Sequence, residues 1–203
     1  MVIGKATNIK NSPAIYGIGN PIVDIIFHVS DDEIKALELK KGTMSLVSKN
    51  RQTEIINYLN IKNASVFPGG SAPNTIIVCS GLGTSSALSG KIGDDNFGKI
   101  YLDQIKKYNV ISRVVSGNGS TGTSVVLITP DAERTMNTHL GMCREFNEKD
   151  IDEELLRNSF FLYFTGYMWD TESQKKAIQK AVKIAKAVSY THLRAHETRH
   201  DLV

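Results

Sequence analysis

Gly69-Gly70-Ser71-Ala72-Pro73-Asn74 stands at the head of a glycine-punctuated interval that continues through Gly81, Gly83 and Gly93 to Gly98. Two glycines ahead of a helix leave backbone N–H groups uncovered at its positive end, where an oxygen-rich ligand can approach without a Cβ in the way. From Phe67 onward the order is a Gly-Gly turn, a helix through Ile76, Ile77, Val78 and Leu82, and an apolar strand near Ala87 to Ile92. The turn Gly93-Asp94-Asp95-Asn96-Phe97-Gly98 closes it. Gly69-Gly70 alone marks no more than a helix N-terminus; the spacing of the whole interval is far more specific.

Upstream, Ala14-Ile15-Tyr16-Gly17-Ile18-Gly19 reads as a buried first strand, and Asn20-Pro21 breaks it before a second extended run, Ile22 to Val29. Asp24 therefore sits among aliphatics. A carboxylate there is costly to desolvate unless it is hydrogen-bonded, either by turn amides or, in a bidentate way, by two vicinal sugar hydroxyls. A dinucleotide fingerprint does not fit these glycines: the third glycine position is Ile22, Pro21 interrupts the turn, and a strand follows. There is no G-x-x-x-x-G-K-[ST] phosphate loop.

The glycine order of 67–98, with Asn74 in the first helical turn, closely resembles the first signature of the PfkB, or ribokinase-like, family of sugar and nucleoside kinases. Gly17-x-Gly19-Asn20-Pro21-x-x-Asp24 resembles the opening motif of adenosine kinases; in ribokinases proper the Asn and Asp lie closer together. The resemblance covers roughly 14–187. It implies an α/β, ribokinase-like fold: a mainly parallel sheet flanked by helices, with a small projecting β-sheet lid. It also implies transfer of the γ-phosphoryl of ATP to a primary hydroxyl, the 5′-OH of adenosine or that of another sugar such as ribose or fructose. In the family, ATP and Mg2+ bind mainly to the C-terminal portion, where a Gly-Ala-Gly-Asp segment supplies the anion hole and the base. No such segment occurs here, so residues 1–187 are expected to form the acceptor-binding part, inactive by itself. A non-catalytic ligand-binding or misfolded fragment is the reading from another class.

On that basis Asp24 and the Gly69-Gly70 amides are expected on ribose hydroxyls, with Asn20 and Asn74 as polar neighbours. Lid strands are expected within 22–29, 43–48, 64–67 and 112–116. Met44 and Leu46 of the second are candidate base contacts or lid packing. Thr121-Gly122-Thr123 leads into a buried strand to Ile128, and Arg134 to Gly141 returns as its hairpin partner. Arg134 is a candidate phosphate contact and Asn137 a substrate neighbour. Phe160 to Phe164 suits a central parallel strand; Tyr167 and Met168 at its carboxyl end either flank a purine or cap the core. Ser30 to Glu33 matches a capping box for a helix to Leu39, and Asn147 starts another to Asn158.

Composition adds outer limits. The 203 residues are 41% hydrophobic, and 24 basic against 21 acidic residues give +3 with no basic block, so neither nucleic acid nor a membrane is indicated as a partner. Two cysteines and no long apolar run suggest a cytoplasmic protein acting on a small-molecule nucleoside or sugar. His192, His196 and His200 would share one helical face, which formally suggests a metal stripe. However, the run from Ser189 to Val203 resembles translated adapter read-through. Residues 188–203 are therefore expected as a non-native tail, disordered or wrongly helical, and no metal ligand is assigned there.

Overall fold

The computed structural model describes residues 12–188 and the backbone of 191–194. The polar, irregular stretch 1–12, whose sequence suggests a loose terminus, lies almost wholly outside the described residues. β1 (Ile15–Ile18) is short and apolar, and Gly19-Asn20-Pro21 separates it from β2 (Ile22–His28). In β2, Val23, Ile25 and Phe27 are buried while Ile22, Asp24 and Ile26 are half-buried, the period of a strand with one face on a core. α1 (Asp31–Ala36) begins with the Ser30–Glu33 capping box. It stops short of Leu39 because Glu38 turns left-handed at φ 53°.

Then follow β3 (Met44–Leu46), α2 (Lys49–Leu59), β4 (Ser65–Gly69), α3 (Ser71–Gly81), β5 (Ser86–Gly93), α4 (Asn96–Lys107) and β6 (Ile111–Gly117). The chain continues through β7 (Gly122–Ile128), β8 (Arg134–His139), α5 (Glu153–Arg157), β9 (Phe161–Phe164), α6 (Glu172–Ala187) and β10 (Thr191–Arg194). One sheet has the order β10-β9-β1-β5-β6 and is parallel throughout. The other, mixed, has the order β3-β8-β7-β2-β4. Val23, Ile25, Phe27, Val125 and Leu127 of the mixed sheet share a core with Ile55, Leu88, Ile92, Tyr101 and Ile105. A second core on the parallel sheet joins Tyr16, Ile18 and Leu162 to Ile178, Ala181 and Ile184 of α6.

The segments expected as lid strands at 22–29, 43–48 and 64–67 hold β2, β3 and β4 of the mixed sheet. The fourth is a correction: 112–116 is β6, paired parallel to β5 in the other sheet, because α4 returns the chain to the sheet it left as a βαβ crossover. Its place is filled by the β7–β8 hairpin. The single helix expected from 147 to 158 is also divided. Asn147 caps a short 3-10 turn, Glu148–Asp150, and Asp152 caps α5 separately. The break falls where the Asp150 carboxylate is taken by Lys91 Nζ at 3.0 Å and the Asn147 amide at 2.9 Å.

Residues 191–194 differ from the expected disordered or helical tail: they run parallel to β9 as β10, since the outer edge of β9 offers unpaired backbone groups to an extended segment. The rest of that tail, including His196 and His200, lies outside the described residues. No helix among the described residues is long and apolar enough to cross a membrane. Both cysteines are free thiols, Cys79 half-buried and Cys143 buried.

The turn Gly93 to Gly98 is a junction. Asp95 caps α4 by accepting from the Gly98 amide at 2.9 Å, and it also accepts from the Thr121 amide at 2.8 Å and the Thr121 hydroxyl at 2.6 Å. Burial alone would raise its pKa, but these donors hold it below the usual carboxylate range. The bonds tie the end of β5 to the entry of β7, and so one sheet to the other. Asp95→Ala should lower stability by about 2 kcal/mol or more, the sum of a lost cap and charge-assisted bonds, read as the midpoint of urea unfolding. The deficit should begin to shrink as pH falls below about 4, the ordinary carboxylate value, and be lost once pH has passed below the depressed folded value.

Candidate functional site

The register of the mixed sheet sets one row of side chains across all five strands. Asp24 of β2 pairs with Phe67 of β4 on one side and Ser124 of β7 on the other; Ser124 pairs with Thr138 of β8, and Thr138 with Leu46 of β3. Directly paired residues share a face. All five therefore project away from the core face that carries Val23 and Ile25. Phe67 and Leu46 stand exposed at the rims, 52% and 60% accessible. Between them lie a carboxylate and two hydroxyls, Ser124 Oγ and Thr138 Oγ1 being 2.9 Å apart.

Asp24 Oδ1 is buried without a hydrogen-bond partner among the described residues. Its carboxylate lies on the Cα of Gly69: a Cβ there would fall 2.6 Å from Oδ1 and closer still to Oδ2. Burial pushes the Asp24 pKa up from 3.8 to about 6, against the opposing pull of Arg134. An unpaired buried carboxylate costs a fold free energy, and such groups are retained where something outside the chain supplies the bonds.

Beside it α3 begins on Gly70, at φ 101° with no side chain capping the helix. A Cβ on Gly70 would collide with the Asn20 carbonyl oxygen, and one on Gly19 would lie 2.7 Å from Ala72 Cβ. The elbow after β1 and the start of α3 are thus interlocked. The uncapped first turn of α3 thus follows directly on Gly69, the residue against which the Asp24 carboxylate lies, with Asn74 exposed on that turn.

The other expected site residues divide. Met44, paired with Met136, and Arg134, paired with Ile128, lie on the Asp24 face, both exposed. Tyr167 is 49% exposed. Three need correction. Asn20 faces inward: its amide donates to the Tyr167 carbonyl at 3.4 Å, and its Oδ1 accepts from Gln174 at 2.9 Å. Met168 is buried and caps the core. Asn137 pairs with Val125, which puts it on the opposite face from Asp24, buried under α2 where Gln52 donates to its carbonyl at 3.0 Å.

Phe67, Ser124, Thr138 and Gln174 were not singled out from the sequence. The first three follow only from cross-strand register. Gln174 did carry a signal, since a glutamine stands in line with Ile178, Ala181 and Ala185 on an otherwise apolar helical stripe.

Residues 44–198 match the model of the pfkB family carbohydrate kinase. This chain belongs to that family. Among solved structures the pfkB chain is similar to the adenosine kinase of Sinorhizobium meliloti, with 33% identity and a TM-score of 0.82 over 90% of this chain and 56% of that one. It is also similar to a probable sugar kinase protein of Rhizobium etli CFN 42, with 29% identity and a TM-score of 0.83 over 90% and 55%. Among curated proteins, Probable fructokinase-7 of Arabidopsis thaliana is 30% identical over 124 residues, 59% of this chain and 36% of that protein. The chain thus spans about half the length of these solved relatives and about a third of the curated one.

Among the described residues no group of three or more His, Cys, Asp or Glu could hold a metal ion. Because the Asp24 pKa is raised on folding, its charge costs stability above about pH 6 and nothing below its ordinary 3.8. Asp24→Asn should therefore stabilise the chain near neutral pH by on the order of 2 kcal/mol. The gain should fade as pH falls from about 6 to about 4. Urea unfolding of both proteins across that range checks it, and equal midpoints at neutral pH would count against an unpaired buried carboxylate.

Proposed function

We propose that this chain carries the acceptor-binding part of an ATP-dependent kinase acting on a primary hydroxyl of a nucleoside, with the 5′-OH of adenosine as the first candidate. The observation that carries the reading is the unpartnered Asp24 carboxylate set against Gly69. Two vicinal ribose hydroxyls donate to its two oxygens, and their own oxygens accept from the uncapped amides that open α3. Met44, Leu46 and Phe67 then give the base an apolar flank on the same face, and the exposed Tyr167 stands by the elbow after β1. Arg134, farther along the face, is available to a phosphate.

Bound ATP and Mg2+ supply the phosphoryl group and neutralise its charge; the contribution of the residues described is to hold the acceptor in place. Phosphoryl transfer depends mostly on such positioning. Likeness to an enzyme named adenosine kinase supports the nucleoside. Likeness to one named fructokinase supports a second reading, a free sugar on Asp24 and the α3 amides, which would leave the apolar rims uncovered.

Calorimetry of the 203-residue chain with adenosine, ribose and fructose separates the two readings. Adenosine should bind at least tenfold more tightly than either sugar, and Asp24→Ala should abolish binding. Asp24 must be ionised to accept both hydroxyls, so affinity should rise about tenfold between pH 5 and pH 7, following a group that titrates near 6. Fructose binding more tightly than adenosine would favour the second reading, and an affinity independent of pH would remove Asp24 from the contact.

A further inference from the structure

Gln174 is fully buried in the first turn of α6, where a long polar side chain must be hydrogen-bonded to be tolerated. Its Nε2 donates to Asn20 Oδ1 at 2.9 Å and to the Cys143 carbonyl at 2.8 Å, and lies 3.9 Å from Met168 Sδ. Its Oε1 accepts from the Thr171 amide at 3.3 Å as part of the capping box of α6. One amide thus joins the elbow after β1, the 3-10 segment Gly141–Glu145, the turn Gly166–Trp169 and the start of α6.

Asn20 passes this restraint on in two directions. Its Nδ2 fixes the Tyr167 carbonyl, and its own carbonyl oxygen occupies the space where Gly70 has no Cβ. The same elbow leads directly into β2 and Asp24. We infer that Gln174 is a positioning residue: through Asn20 it sets Tyr167 and the Gly70 turn at a fixed separation across the crevice at the carboxyl ends of β1 and β9. It touches no acceptor itself. The inference rests on the acceptor-site reading for its purpose but not for its geometry.

Gln174→Glu keeps the oxygen that caps α6 and loses both donors; Gln174→Met fills the volume and loses cap and donors together. Amide hydrogen exchange reads the outcome at three backbone bonds spread over the clamped segments. These are Gly19 N–H to Ser89 O, Asn74 N–H to Gly70 O and Met168 N–H to Thr165 O. In Gln174→Glu all three should exchange at least tenfold faster, while amides of the β5–β6 pairing stay as in the wild type. Gln174→Met should show the same pattern with added fraying at the start of α6.

A uniform rise across all amides, or faster exchange at Met168 with Asn74 unchanged, would overturn the clamp and leave Gln174 as ordinary core. Adenosine calorimetry on the same samples keeps the two readings apart. Absent heat in the wild type bears on the acceptor site, while the exchange pattern alone decides the role of Gln174.

Discussion

A carboxylate is pressed against a backbone that has no side chain to offer it. Asp24 and Gly69 occupy one point in space, and each surrounding feature is arranged so that they can. Gly70 gives its missing Cβ to the Asn20 carbonyl, and Gly19 gives way to Ala72 and Pro73. This interlock joins the elbow after β1, in the parallel sheet, to the start of α3, which follows β4 of the mixed sheet. A side chain at any of these glycines would force the two apart.

The opposite face of the mixed sheet pays for this exposure in the usual way, by burying Val23, Ile25, Phe27, Val125 and Leu127 against helices. Alternation along β2 thus does two jobs at once, with Val23, Ile25 and Phe27 buried and Ile22, Asp24 and Ile26 between them half-buried. On the Asp24 face Ser124, Val126 and Thr138 are buried, while Phe67, Met44 and Leu46 stand exposed at its margins. Asp95, bonded to Thr121, ties one sheet to the other.

Local patterns were legible in the sequence and nonlocal ones were not. The extended run of β2, the double-glycine helix start, the Ser30–Glu33 capping box and the β7–β8 hairpin are all written in neighbouring residues, and the structure has them. The assignment of 112–116 to the lid failed because which sheet a strand joins is decided by its crossover, not by its own composition. Asn137, expected as a substrate neighbour, turns to the face opposite Asp24 for a related reason: parity along β8 is fixed by its pairing with β7, which no local pattern states. Asn20 was read as a ligand contact from its place in a motif, yet its partners are 147 and 154 positions away.

The mixed sheet is also assembled from widely separated parts of the chain, with β2 lying beside β7 and β3 beside β8. Asp24 and Ser124, paired side by side, are separated by most of the described sequence. Contacts of such range carry a large loop-closure entropy and form late. During synthesis the parallel sheet can gather β1 and β5 early, but the row of side chains around Asp24 is incomplete until β7 and β8 have left the ribosome. The two sheets of this molecule are therefore completed in a different order from the one in which their first strands emerge.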